Sequence, residues 1–236
     1  MYQEKENILP AMKAIAKTAS SYIPVVNCAI NFYEEKKSQA AQRKLKRLEF
    51  FCQSLLESLT RLESEINVDF IRKEEFEDIF EQTANNIMDE FREEKRRCFQ
   101  NILTNSITAN SCSYDKTEKY LRLLDNMGWL ELKILGVLNN PSKFNEDRGN
   151  IVKEPNDGYN YIGLGLSGQN SIDILIKLLE ENKDDIIDAL YYLETNRLII
   201  EQSNAIRTQS GGNPIHILDN MLTPKGKDFV CFIREE

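Results

Sequence analysis

LKRLEFFCQSLLESLTRLESEI, residues 45–66, spaces Leu45, Leu48, Cys52, Leu55, Leu59, Leu62 and Ile66 at alternating intervals of three and four. That spacing puts all seven side chains on one face of a helix, and a face so long needs a partner helix along its length. Asn67-Val68-Asp69 breaks the pattern. A helix over about 71–108 follows, with Phe76, Phe80, Thr83, Ile87, Phe91, Cys98 and Ile102 on one stripe. The two helices predict an antiparallel hairpin centred near Asp69. Upstream, Pro24 stands where a first helical residue would, after Ser20, Ser21 and Tyr22. It separates a short helix over about 5–19 from the long helix, which begins near Ile23 and runs on into 45–66.

Downstream, 105–115 is small and polar and reads as a loop. An amphipathic stretch with Tyr120, Leu123, Leu124 and Met127 follows; after Gly128 comes a short helix over 129–138, ended by Asn139-Asn140-Pro141. Residues 141–170, rich in Gly, Asn and Asp, read as an irregular insertion with a short strand near 159–162. Two helices come next, over 171–182 and 184–196. Asp184 is the expected N-cap of the second, with Ile187, Leu190, Tyr191 and Leu193 on its apolar side. The period then changes: 197–201 reads as a strand, 203–213 as a hairpin tip and 215–218 as the return strand. Thr223 caps a last helix with Pro224 in its first turn. The expected fold is therefore mainly α. A long antiparallel helical hairpin or bundle over 1–127 is followed by a winged-helix-like domain over 128–236, with a small β-hairpin and an insertion at 141–170.

With 236 residues, 41% hydrophobic and 29% charged, the composition is that of an ordinary globular protein and excludes collagen-like and low-complexity classes. A net charge of −8 argues against wholesale attraction to nucleic acid or an anionic bilayer. The single histidine, His216, excludes metal centres built on two or three imidazoles. Five cysteines, none in a CxxC pair, fit reduced thiols and a cytoplasmic location. The most apolar segment, 22–33, falls well short of the roughly 20 residues of a membrane span. No transmembrane segment is expected, and that segment is expected to dock inside the helical bundle rather than to rest on a membrane.

No catalytic constellation emerges. Gly163-Leu164-Gly165-Leu166-Ser167-Gly168 matches GxGxxG, but no parallel strand ending in an acidic residue follows, so it reads as a turn. Glu75, Asp78, Asp89 and Glu93 fall opposite the Phe76–Phe80–Ile87 stripe and face solvent, where they cannot converge on a metal ion. His216 and Cys231 lack an orienting third group. No catalytic, cofactor or metal residues are assigned, and no cofactor is expected. Glu94 projects near the centre of the apolar stripe and needs a basic partner; counting out from Asp69 in both directions places the stretch containing Lys44 opposite it. The basic clusters Arg43-Lys44-Lys46-Arg47 and Arg92, Lys95-Arg96-Arg97 reach similar heights on the hairpin. The candidate partner-binding residues are Arg43, Lys44, Arg47, Arg96 and Arg97, with Tyr192 on the helix 184–196 and Arg207 at the hairpin tip.

Five pieces together resemble the bacterial abortive-infection alpha-type (Abi-alpha) proteins over about 74–138 and 184–232. They are a Glu-rich helix leading to Asn101-Ile102-Leu103-Thr104-Asn105, then Tyr120-Leu121-Arg122-Leu123-Leu124, Glu131 with Ile134-Leu135, residues 193–199, and Leu222-Thr223 with Gly226 and Phe229. The insertion at 141–170 departs from that pattern. The resemblance implies an association with phage defence and transfers no catalytic residue. The expected function is that of a non-enzymatic interaction or regulatory protein acting through protein–protein contacts. A homo-oligomer is also expected, because the 45–66 seam with Phe50, Phe51 and Leu56 offers more apolar surface than one hairpin partner covers. The alternative is a winged-helix DNA-binding transcriptional regulator. Asp184, Asp185, Asp188 and Glu194 on the helix that would enter a groove make DNA the less expected partner.

Overall fold

The computed structural model describes residues 23–37, 41–108, 113–152, 170–200 and 214–234. The described residues form eleven α-helices and two 3-10 turns, and the protein is mainly helical. They fall into two compact units: one up to Asn126 joined by the residues from Phe232 onward, the other from Met127 to Cys231.

The first unit contains α1 (Ile23–Lys36), α2 (Gln42–Arg61), the one-turn α3 (Val68–Ile71), α4 (Glu74–Asp89), α5 (Glu93–Thr108) and α6 (Tyr114–Asp125). Asn67 starts α3 by accepting from the Phe70 amide at 3.1 Å, and Ser113 starts α6 in the same way through Lys116. Glu74, Glu75 and Glu77 load the first turn of α4 with the charge its dipole favours. The start of α2 meets the end of α4, because Arg47 donates to the Met88 carbonyl at 2.8 Å, so the two run antiparallel. α5 in turn runs back along α4, and the Ile107 carbonyl near its end accepts from the Asn67 amide at 2.7 Å. Leu48, Cys52, Leu55 and Leu59 are buried, as are Phe76, Phe80, Thr83 and Ile87. Phe80 is the hub of this core, with ring centroids 6.1, 5.9 and 6.4 Å from those of Phe32, Phe51 and Phe76.

Two long helices expected from periodicity are each divided. The helix expected from Ile23 through 66 is α1 and α2, packed side by side. The Tyr33 hydroxyl donates to Glu49 at 2.6 Å, although 16 residues of straight helix would hold them about 24 Å apart. Val25, Val26, Ala29, Ile30, Phe32 and Tyr33 of α1 are buried in this unit. The helix expected over 71–108 is α4 and α5, with Ile71 closing α3 before them. Glu90 leaves the helix in an extended conformation (φ −73°, ψ 128°), and the next helix starts at Glu93. Three non-helical residues reset the rotational phase, so Phe91 lies 67% exposed and Phe99, beside Cys98, takes the core position.

The Glu94 expectation fails for the same reason. Glu94 is exposed, and Lys44 pairs with Asp89. The charge brought into the apolar interior is Lys95, 6% exposed, whose ammonium donates to the Asp125 carbonyl at 3.0 Å and lies 3.5 Å from the Glu90 carboxylate. It thereby satisfies the end of α6 and holds the break between α4 and α5.

Burial, followed by donation to Glu49, pushes the Tyr33 hydroxyl up to about 12. A pKa raised on folding gives stability that is fully present below the ordinary tyrosine range near 10 and is lost as pH rises through about 12. Tyr33→Phe is expected to cost about 1 kcal/mol near neutral pH. The gap between wild-type and variant stability should close in denaturant titrations at rising alkaline pH. A gap that stays constant up to pH 12 would contradict the buried hydrogen bond.

The second unit holds α7 (Trp129–Asn139), α8 (Pro141–Asp147), α9 (Ser171–Leu179), α10 (Lys183–Thr195), a 3-10 turn (Pro214–Leu218) and α11 (Pro224–Phe232), whose last residue belongs with the first unit. α7 packs on α10, and Lys133 of α7 pairs with Glu181 at 3.0 Å. The insertion expected at 141–170 opens as a helix: Asn140 accepts from the Lys143 amide at 3.1 Å, and Pro141 occupies the first turn, where its missing N–H costs nothing. α10 is capped by Asn182 rather than Asp184, through the Asp185 amide at 2.9 Å.

The expected β-hairpin is not formed among the described residues. Residues 215–218 wind into the 3-10 turn and bury Ile215, Ile217 and Leu218. Among the described residues the only β-pairing is an isolated antiparallel bridge between Ile199 and Leu222. The Ile200 amide donates to Met221 at 2.9 Å and the Thr223 amide to Leu198 at 3.0 Å. Thr223 caps α11, its hydroxyl accepting from the Gly226 amide at 2.9 Å and donating to the Arg197 carbonyl at 2.7 Å. The helix expected over 5–19, the strand near 159–162, the GxGxxG turn and the hairpin tip with Arg207 lie outside the described residues.

Candidate functional site

The sequence periodicity that buries one face of α2 leaves the opposite face to solvent. Arg43, Lys46 and Phe50, at i, i+3 and i+7, form one exposed stripe there. Phe50 is 55% exposed and lies in a shallow groove with Arg47, Arg96, Arg97, Glu93 and Gln100.

Of the five cations named from sequence, Arg47, Arg96 and Arg97 line this groove, and the five do different things. Arg47 donates to the Met88 carbonyl, and Arg96 donates to the carbonyls of Phe91 at 2.7 Å and Glu90 at 3.2 Å. Arg47 thereby satisfies carbonyls at the end of α4, and Arg96 those of the non-helical break that follows it. Lys44 pairs with Asp89 and Arg97 with Glu93 one turn away. Arg43 stays exposed and makes no ion pair within the described residues. Lys46, in the same cluster, is exposed in the same way.

In the second unit, Tyr192 is half-buried. Its hydroxyl is held above the usual tyrosine range by burial first and the Glu131 charge second. The exposed aromatic is its neighbour Tyr191, at 70%, which sequence placed on the apolar side. With Asp184 and Asp188 it forms a stripe at i, i+4 and i+7 on α10. The side chains that point inward are Ile186, Ala189, Leu190 and Leu193. Sequence missed Tyr191 because Tyr191 and Tyr192 are adjacent aromatics 100° apart, and either fits the edge of the apolar arc.

Burial pushes the thiols of Cys28 and Cys98 up to about 11 and that of Cys52 up to about 12, so none offers a thiolate near neutral pH. His216 lies in the 3-10 turn with its Nδ1 2.8 Å from Asp219. Among the described residues no three His, Cys, Asp or Glu side chains are grouped to hold a metal ion. No helix there is long and apolar enough to cross a membrane. A scan of family models and searches of curated proteins and of solved structures find no match to this chain.

Proposed function

We propose that this is a non-enzymatic interaction protein that works through protein–protein contacts, in the setting of bacterial phage defence that its resemblance to the Abi-alpha proteins implies. The observation that carries the reading is the solvent face of α10, where Asp184 and Asp188 lead along one stripe to exposed Tyr191. An exposed aromatic residue with charge along the same face suits a protein interface, and carboxylates there repel phosphate.

The second reading is the DNA-binding regulator. It is favoured by part of the order of the second unit: leaving aside α8 and the 3-10 turn, α7, α9 and α10 are followed by two segments bridged at Ile199 and Leu222 and then by α11, an order similar to that of a winged helix. In that arrangement α10 would be the helix presented to the major groove, and its charge opposes that use. Fluorescence anisotropy of labelled duplex DNA with the full chain at physiological salt separates the two. No saturable binding in the submicromolar range is expected. Submicromolar binding that weakens steeply with salt would overturn the protein-contact reading.

A further inference from the structure

The exposed stripes of α2 and α10 carry opposite charge and span the same interval from first charge to aromatic ring, with the middle charge at i+3 in one and i+4 in the other. From N- to C-terminus α2 offers cation, cation, aromatic as Arg43, Lys46 and Phe50, and α10 offers carboxylate, carboxylate, aromatic as Asp184, Asp188 and Tyr191. Each stripe covers seven residues, about 10 Å of helix. We propose that the chain self-associates, with α2 of one copy lying parallel to α10 of another.

In that register Arg43 faces Asp184, Lys46 faces Asp188 and Phe50 stacks against Tyr191. The four charged side chains make no ion pairs within the described residues, and the two rings are among the large apolar side chains most open to solvent, 55% and 70% exposed. Association covers two aromatic rings and pairs four charges that a single copy leaves to water. Lys183 lies one residue, about 100°, round the helix from Asp184 and does not enter the stripe. The two faces differ, so each copy gives one and receives one: two copies that exchange both contacts close a two-fold dimer, and copies that make the contact one way build rings or chains. This inference rests on the protein-contact reading and names a second copy of this chain as one partner. The apolar surplus that suggested an oligomer from sequence is thereby moved off the 45–66 seam, whose buried members Leu48, Cys52, Leu55 and Leu59 are covered within the unit, onto the opposite face of the same helix.

The test is sedimentation velocity of the full chain at a series of concentrations and salt levels. The expected result is a mass that rises above one chain with concentration and falls back as salt increases. Lys46→Glu and Asp188→Lys should each abolish association while leaving helical circular dichroism unchanged. An equimolar mixture of the two variants should regain it, because the reversed charges match across copies. A strict monomer at every concentration, or a mixture that stays monomeric, overturns the proposal. The protein-contact reading is judged separately by the duplex titration, which does not depend on self-association.

Discussion

Phe80→Ala should lower the stability of the first unit by about 3–5 kcal/mol, since truncating a fully buried phenylalanine removes its transfer free energy and leaves a cavity that neighbours fill only in part. Phe80 is 0% exposed and its ring contacts Phe32 of α1, Phe51 of α2 and Phe76 of α4, so one truncation loosens three helices at once. With typical domain stabilities of about 5–15 kcal/mol, such a loss takes much of the total. Urea denaturation followed by far-ultraviolet circular dichroism measures it. Phe80→Leu, which retains most of the apolar volume, should lose clearly less. A loss under about 1 kcal/mol for the alanine variant would show that this cluster is not the core that holds the unit.

Gly226→Ala should destabilise the second unit by about 2–3 kcal/mol, against the sign that helix propensity alone gives. In an exposed helix interior alanine is favoured over glycine by about 1 kcal/mol. Here a Cβ at 226 would stand 2.0 Å from the Leu198 carbonyl oxygen and 2.9 Å from its carbon, both backbone atoms that no rotamer change can move. The first turn of α11 would have to retreat from 198, and the bonds from the Thr223 amide and hydroxyl to Leu198 would stretch with it. Thermal unfolding of the variant is the measurement. An unchanged or raised midpoint would mean that the close approach of α11 to Leu198 is not maintained in solution.

Element by element, the sequence was legible where local chemistry decides and opaque where distant groups do. The buried stripe Phe76, Phe80, Thr83 and Ile87 and the cap at Thr223 follow from spacing and residue type within one or two turns. The break at Glu90 does not. No Gly or Pro marks it, and the carbonyls it exposes are satisfied by Arg47, more than forty residues earlier in the chain, and by Arg96. A periodic reading carried straight through that break puts Phe91 inside and Glu94 at the centre of the stripe, whereas the structure exposes both and buries Lys95. The alternation of Ile215-His216-Ile217-Leu218 likewise fits a strand, yet a 3-10 turn buries the same three aliphatic residues without needing a neighbouring strand. Of the candidate site, the cationic clusters were visible as composition. Which cations cap a helix end and which remain exposed was not, because that depends on where α4 stops.

The amides of Asn101 and Asn105 in α5 find their acceptors at the Ile233 and Phe232 carbonyls, 132 and 127 residues further along the chain. The first unit is thus discontinuous in sequence, and the whole second unit is inserted between two of its parts. During synthesis the first unit is not complete when Asn126 leaves the ribosome; its last contacts form only once 232–234 have been made. A chain cut short anywhere within the second unit leaves two asparagine side chains without their acceptors and the edge of Tyr120 without the Phe232 ring that covers it at 5.4 Å. Incomplete products therefore carry their defect in the part made first, as a helical bundle that lacks its last contacts.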